Sequence, residues 1–159
     1  MQKVALTHPI LIDTREQRPW PFWDLPPDEW DVSTEHATLP TGDYSLKGLQ
    51  HLILVERKTL SDFANCCGRG RQRFERELTR MRDETRHSYV FVDNTVKAVA
   101  EGSYPGRVAP ATIIGSFMSW TMKYDTHFLF TGGPAYSVRM VVRLFAALER
   151  RIERGEVAA

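Results

Sequence analysis

His51-Leu52-Ile53-Leu54-Val55-Glu56-Arg57-Lys58-Thr59-Leu60-Ser61-Asp62-Phe63 is the passage on which the architecture turns. Residues 51–58 predict a strand, because an unbroken apolar run closes on a charged triplet. Successive strand residues face opposite ways, so Leu52, Leu54, Glu56 and Lys58 share one face while Ile53, Val55 and Arg57 share the other. Glu56 and Lys58 therefore point together. Thr59 offers a hydroxyl to cap a helix that follows, and Asp62 at the third helical position completes a T-x-x-D box. A strand that runs straight into a capped helix is the unit from which α/β domains are built.

The flanking segments extend the pattern. Pro9 to Asp13 predicts a short buried strand ending in an acid. Residues 14–31 form a long loop holding Pro19, Pro21, Pro26 and Pro27 with Trp20, Trp23 and Trp30. The indoles are read as packed beneath that loop, against the alternative of stacking on unpaired bases. Residues 31–39 predict a strand, Pro40-Thr41-Gly42 a turn, and residues 43–46 a further strand. Downstream, Gly68-Arg69-Gly70 interrupts the helix, which resumes over 71–86 with Phe74, Leu78 and Met81 on one face. A strand over 88–93, a short helix over 95–101, a helix over 110–123 opened by Pro110, and a strand over 127–131 follow. Gly132-Gly133-Pro134 leads into a last helix with Val138, Val141, Val142, Phe145, Leu148 and Ile152 at helical spacing. The sum is an α/β fold spanning residues 1–159 as one domain, with a central mixed β-sheet flanked by helices on both faces.

Bulk properties narrow the function. With 42% hydrophobic and 26% charged residues, the composition is that of a globular protein, and no apolar run approaches the roughly 20 residues needed to cross a bilayer. Residues 1–11 carry one lysine and no sustained apolar core, so no secretory leader is read there and a cytoplasmic location is expected. Cys66 and Cys67 are adjacent, which denies them a strain-free bridge or a metal clamp. A net charge of +1 argues against non-specific coating of nucleic acid. Locally, seven arginines face four acids between residues 65 and 87. Arg69, Arg71 and Arg73 in that stretch are candidate clamps for backbone phosphates, the alternative being a solvated helix face.

The acids carry chemistry. Hydrolysis of a phosphodiester requires a water placed in line with the leaving oxygen and charge stabilisation at phosphorus, for which divalent ions are suited. Mg²⁺ takes hard oxygen ligands, commonly a few carboxylates with waters and substrate phosphate. Twelve residues separate Asp43 from Glu56 and one separates Glu56 from Lys58, which sets two carboxylates and an ammonium at one end of a hairpin. Lys58 is expected to orient or deprotonate the attacking water, and the Arg57 backbone carbonyl to offer a further metal ligand.

The spacing D-x12-E-x-K matches the PD-(D/E)XK nuclease superfamily, whose fold is restriction-endonuclease-like. With Ile12-Asp13-Thr14-Arg15-Glu16, Gly42-Asp43-Tyr44 and Val55-Glu56-Arg57-Lys58-Thr59-Leu60-Ser61-Asp62-Phe63, the chain strongly resembles the nuclease domain shared by XPF and Hef, whose hallmark is G-D…E-R-K-x-x-x-D. The likeness extends through Gly68-Arg-Gly-Arg-Gln-Arg-Phe74 and the Tyr89 to Val92 strand to the last helix. It implies a metal-dependent endodeoxyribonuclease acting on flaps, forks or single-strand/double-strand junctions in DNA repair or recombination, with Mg²⁺ or Mn²⁺. Asp13, Asp43 and Glu56 would be the metal-site acids, Lys58 the catalytic lysine, and Arg15, Glu16, Arg57 and Asp62 supporting residues. A counterpart of the tandem helix-hairpin-helix domain of relatives is missing from the sequence, so a partner or second copy is expected to supply DNA grip. Met118, Trp120, Met122, Met140 and Leu144 are apolar residues beyond one core stripe, and with the resemblance they point to a homodimer. Two alternatives remain at this stage: a non-catalytic DNA-binding partner of the same fold, and a resolvase-like or exonucleolytic enzyme of phage or mobile-element DNA.

Overall fold

The computed structural model describes residues 2–159; Met1, the first residue of the stretch read for a leader, lies outside them. In chain order the elements are β1 (Val4–Ala5), β2 (Ile10–Asp13), a 3-10 turn (Phe22–Asp24), β3 (Trp30–Asp31), β4 (Thr34–Ala37), β5 (Tyr44–Leu46), β6 (Ile53–Lys58), α1 (Leu60–Cys66), α2 (Arg71–Glu84), β7 (His87–Val92), α3 (Val96–Ala100), α4 (Pro110–Tyr124), β8 (Thr126–Phe130) and α5 (Pro134–Glu153). Six strands form the central sheet in the order β4-β2-β5-β6-β7-β8, and β1 pairs separately with β3. The sheet is mixed: β5 runs antiparallel to both β2 and β6, while β6, β7 and β8 are parallel. No helix among the described residues is long and apolar enough to cross a membrane.

The parallel half explains where the helices lie. Two successive crossovers, β6 to β7 through α1 and α2 and β7 to β8 through α3 and α4, step in the same direction along the sheet. Crossovers of one hand stepping one way place their helices on one face. That face buries Val90 and Val92 against Phe63, Phe74, Leu78, Ile113, Phe117 and Trp120. Phe63 has no exposed surface and meets Phe74 and Trp120 edge-on; burial of a ring that size contributes about 2–3 kcal/mol. The opposite face, with Ile12, Tyr44, Val55 and Phe91, is covered by α5 and by the tryptophan-rich loop.

Departures from the sequence reading have local causes. The strand expected over 31–39 is two pieces, because Trp30–Asp31 pairs with Val4–Ala5 and the chain then changes partner so that Thr34–Ala37 pairs with β2. The strand expected from His51 starts at Ile53, since Leu52 N–H donates to Leu49 O in a turn. Trp20 and Trp30 pack beneath the loop as expected, but Trp23 is 67% exposed because the 3-10 turn aims Phe22 inward in its place. Trp120 and Leu144 are not spare apolar surface: Trp120 is core, and Leu144 packs against the α5 side of the sheet.

Candidate active-site cleft

Strand alternation sorts the charged residues before any tertiary contact does. Tyr44 and Leu46 belong to the core beneath α5, so Ser45 and, one step before the strand, Asp43 face the other way. By the same count Asp13 shares a face with Leu11, and Glu56 and Lys58 share one with Leu54. Leu11 and Leu54 pack with Met81 of α2. The ends of three strands thus present Asp13, Asp43, Glu56 and Lys58 towards α2.

Backbone bonds fix those ends to one another. Asp13 N–H donates to Asp43 O, and Asp43 N–H donates to Val55 O, each at 2.8 Å. Arg57 N–H donates to Asp43 Oδ2 at 2.8 Å. An extended residue sends its N–H and carbonyl to the same edge, so the Arg57 carbonyl also faces the Asp43 side. Gly42 enters this corner with φ of +78°, and a Cβ there would lie 3.3 Å from Val55 O. A side chain would be strained by both conformation and space.

The result is an open cleft of about 580 Å³ between the strand ends and α2, lined by Asp13, Asp43, Glu56 and Lys58 on one wall and Arg73, Glu77 and Arg80 on the other. Lys58 Nζ lies 3.0 Å from Glu56 Oε1 and 3.9 Å from Glu77 Oε2, and it sits over the Phe74 ring at 5.1 Å. Burial pushes Glu56 well above the usual carboxylate range, and repulsion from Asp43 and Glu77 adds to this while Lys58 opposes it. Burial likewise pushes Asp43 to about 6, with the Arg57 N–H and Lys58 pulling down and Glu16 and Glu77 pushing up. Burial alone would lower the Lys58 ammonium, but Glu56 and Glu77 raise it above its ordinary value. The two carboxylates thus favour the ammonium form of Lys58, the form suited to orient a phosphate or water,.

Asp13 behaves differently from the other acids. Its Oδ2 accepts from Arg15 Nε at 2.7 Å, and its Oδ1 accepts from Arg15 Nη2 at 3.1 Å and Leu39 N–H at 3.0 Å. Burial would raise this carboxyl, but the bonds from Arg15 and Leu39 outweigh it and hold it below the usual range. Each oxygen already accepts at least one hydrogen bond. Among the described residues no three His, Cys, Asp or Glu side chains close into a ready-made metal cage. Two buried carboxylates that repel each other, Asp43 and Glu56, remain as a hard-oxygen donor set, and one or two protein carboxylates are what Mg²⁺ commonly takes.

The other residues singled out by sequence divide. Arg57 turns to the opposite face, where Nε donates to Asp93 Oδ2 at 2.7 Å and the guanidinium lies over Trp20. Trp20 Nε1 and Ser137 Oγ also donate to Asp93, and Trp20 stacks on Tyr44 at 4.5 Å. Thr59 caps as expected, its Oγ1 accepting from Asp62 N–H at 3.1 Å, and Asp62 lines the cleft rim. Glu16 accepts from Arg18 N–H, and its charge helps raise Asp43. Of the three arginines only Arg73 lines this cleft; Arg69 lines a neighbouring one with Arg107. Arg71 is structural, with Nη1 donating to Ser116 Oγ at 2.7 Å and its guanidinium 4.8 Å from the Trp120 ring. Glu77 and Arg80 were missed. Their signal was present in the spacing, since positions 73, 77 and 80 fall on one helix face beside the apolar stripe of Phe74, Leu78 and Met81.

An acid-lined cleft on a mixed sheet, fed by G-D and E-R-K strand ends, defines the class. The chain belongs to the ERCC4 domain family, whose sequence pattern matches residues 12–144. Among solved structures it is similar to XPF from Aeropyrum pernix, with a TM-score of 0.70 and 23% identity over 92% of this chain and 68% of that one. It is similar also to XPF from Aeropyrum pernix in complex with DNA, with a TM-score of 0.68 and 24% identity over 91% of this chain and 66% of that one. The chain thus spans about two-thirds of the length of these structures. No curated protein matches it by sequence.

Proposed function

We propose that this protein is a metal-dependent endodeoxyribonuclease that hydrolyses phosphodiester bonds at branched DNA, such as flaps, forks and single-strand/double-strand junctions. The observation that carries the reading is the Glu56–Lys58 pair, projected with Asp43 into an open cleft whose far wall bears Arg73 and Arg80. Membership of the ERCC4 domain family and the likeness to a structure solved with DNA support it.

In this reading Asp43 and Glu56 hold a divalent ion, Mg²⁺ or Mn²⁺, with the Arg57 carbonyl available as a further oxygen. Such an ion polarises a phosphate and lowers the pKa of a bound water. Lys58 places its ammonium where charge develops on the phosphate, a contribution of about 3 kcal/mol for a well-placed donor. Arg73 and Arg80 grip backbone phosphates, which positions DNA without reading its bases. Asp13 serves the site by fixing Arg15 at its rim. Exposed Met118, Met122, Tyr136 and Met140 on α4 and α5 support pairing of two copies through this surface.

Cleavage of labelled flap, fork, single-stranded and blunt duplex DNA, with Mg²⁺, Mn²⁺ or chelator, tests the proposal. Junction-dependent cutting is expected, abolished by chelator and reduced at least about a hundredfold in Lys58→Ala, with DNA binding retained in that variant. Cleavage that persists in chelator, or an unimpaired Lys58→Ala enzyme, would refute it.

A further inference from the structure

Lys58 is held by two carboxylates that come from different walls of the cleft, Glu56 from β6 at 3.0 Å and Glu77 from α2 at 3.9 Å. If Glu56 turns its oxygens to a divalent ion, the ammonium loses its nearer partner and is left beside a second positive charge. Like charges a few ångströms apart in a half-buried cleft oppose each other strongly. Among the described residues Glu77 is the one other carboxylate within 4.0 Å of Lys58. Asp13 is already paired with Arg15 and bonded by the Leu39 N–H.

We propose that Glu77 is a positioning residue for the metal site: it takes over the Lys58 ammonium when Glu56 engages a divalent ion, so that ion and lysine can occupy the cleft together. The inference rests on the metal-dependent reading above. Glu77 is 21% exposed at its side chain, so its uncharged isostere is accommodated without repacking.

The test is Mn²⁺ titration of the DNA-free protein, following the electron paramagnetic resonance of unbound Mn²⁺, in wild type, Glu77→Gln, Lys58→Met and the double variant. Glu84→Gln, an exposed acid at the end of α2, controls for lost negative charge, and thermal melts confirm folding. Glu77→Gln is expected to weaken Mn²⁺ binding about tenfold, the scale seen when a residue supporting a metal ligand is removed. In the Lys58→Met background the same change is expected to cost under about twofold, because non-additivity reports that two residues act through each other. Equal penalties in both backgrounds, or none in either, would overturn the role of Glu77 while leaving a wild-type metal site intact. A wild type that binds no Mn²⁺ and matches Asp43→Asn would instead remove the metal reading, and this inference with it.

Discussion

Arg15 lies across the carboxylate of Asp13 in a two-pronged pair, Nε 2.7 Å from Oδ2 and Nη2 3.1 Å from Oδ1, although only Thr14 separates the two residues in sequence. The carboxylate is 3% exposed while the guanidinium is 63% exposed, so a buried charge is compensated from the rim.

Removal of the Arg15 side chain leaves that buried carboxylate with the Leu39 N–H at 3.0 Å and a long backbone N–H contact of 3.4 Å from residue 15. Arg15→Ala is expected to lose about 1–2 kcal/mol in urea denaturation, the cost of an undersatisfied buried acceptor. The pH dependence has a definite sign. The folded carboxyl titrates below its ordinary, unfolded value, so the pair stabilises the fold above that value and its contribution is lost as pH falls through the lower folded one. The gap in melting temperature between wild type and Arg15→Ala should stay constant from neutral pH to about 5 and close under strong acid. A gap that widens on acidification would contradict the pairing.

On the reverse face of the sheet, Arg57 anchors β6 through Asp93, which is itself 3% exposed. Arg57→Ala is expected to cost about 3 kcal/mol in chemical denaturation, because it strands a buried acid. Arg57→Lys should not restore it: a compact ammonium does not span Asp93 and the Arg18 carbonyl while also covering Trp20, as the guanidinium does,. Full stability in the lysine variant would show that charge alone matters here.

DNA affinity should separate the arginines by their partners. Arg73→Ala and Arg80→Ala are expected to leave the melting temperature unchanged and to weaken binding to all DNA sequences alike. Each should also lower the slope of log affinity against log salt by about one for every phosphate it no longer neutralises. Arg71→Ala should lower the melting temperature first, since its guanidinium bridges Ser116 and Trp120. Fluorescence anisotropy across a salt series, read beside thermal melts, checks this; an Arg71→Ala protein of native stability with the largest DNA defect would reverse the assignment.

Much of this molecule was legible in its letters because local rules and tertiary packing agree. The period-two run from Ile53 to Lys58, the Thr59 cap with Asp62, the break at Gly68 to Gly70, and the Phe74, Leu78, Met81 stripe each appear as expected. What escaped depends on which wall of a cleft a helix faces. Phe74 and Leu78 announce themselves by apolarity, whereas Glu77 and Arg71 are charged residues whose partners, Lys58 and Ser116, lie far away in sequence. Spacing places such residues on a helix face but does not say whether solvent, core or a charged strand end lies opposite. Asp13 shows the converse: its motif is plain, yet the bonds that occupy it come from Arg15 and from Leu39 on a separate segment.

The turn at Gly68 to Gly70 also sets the phase of α2, which seals the core with Phe74, Leu78 and Met81 and turns Arg73, Glu77 and Arg80 to the cleft. One residue inserted after Gly70 would rotate the following helix by about 100°, and the sealing and the charged surfaces would go out of alignment together. Evolution can vary this helix by exchanging letters but not by changing its length upstream, since solubility and chemistry would fail in the same step.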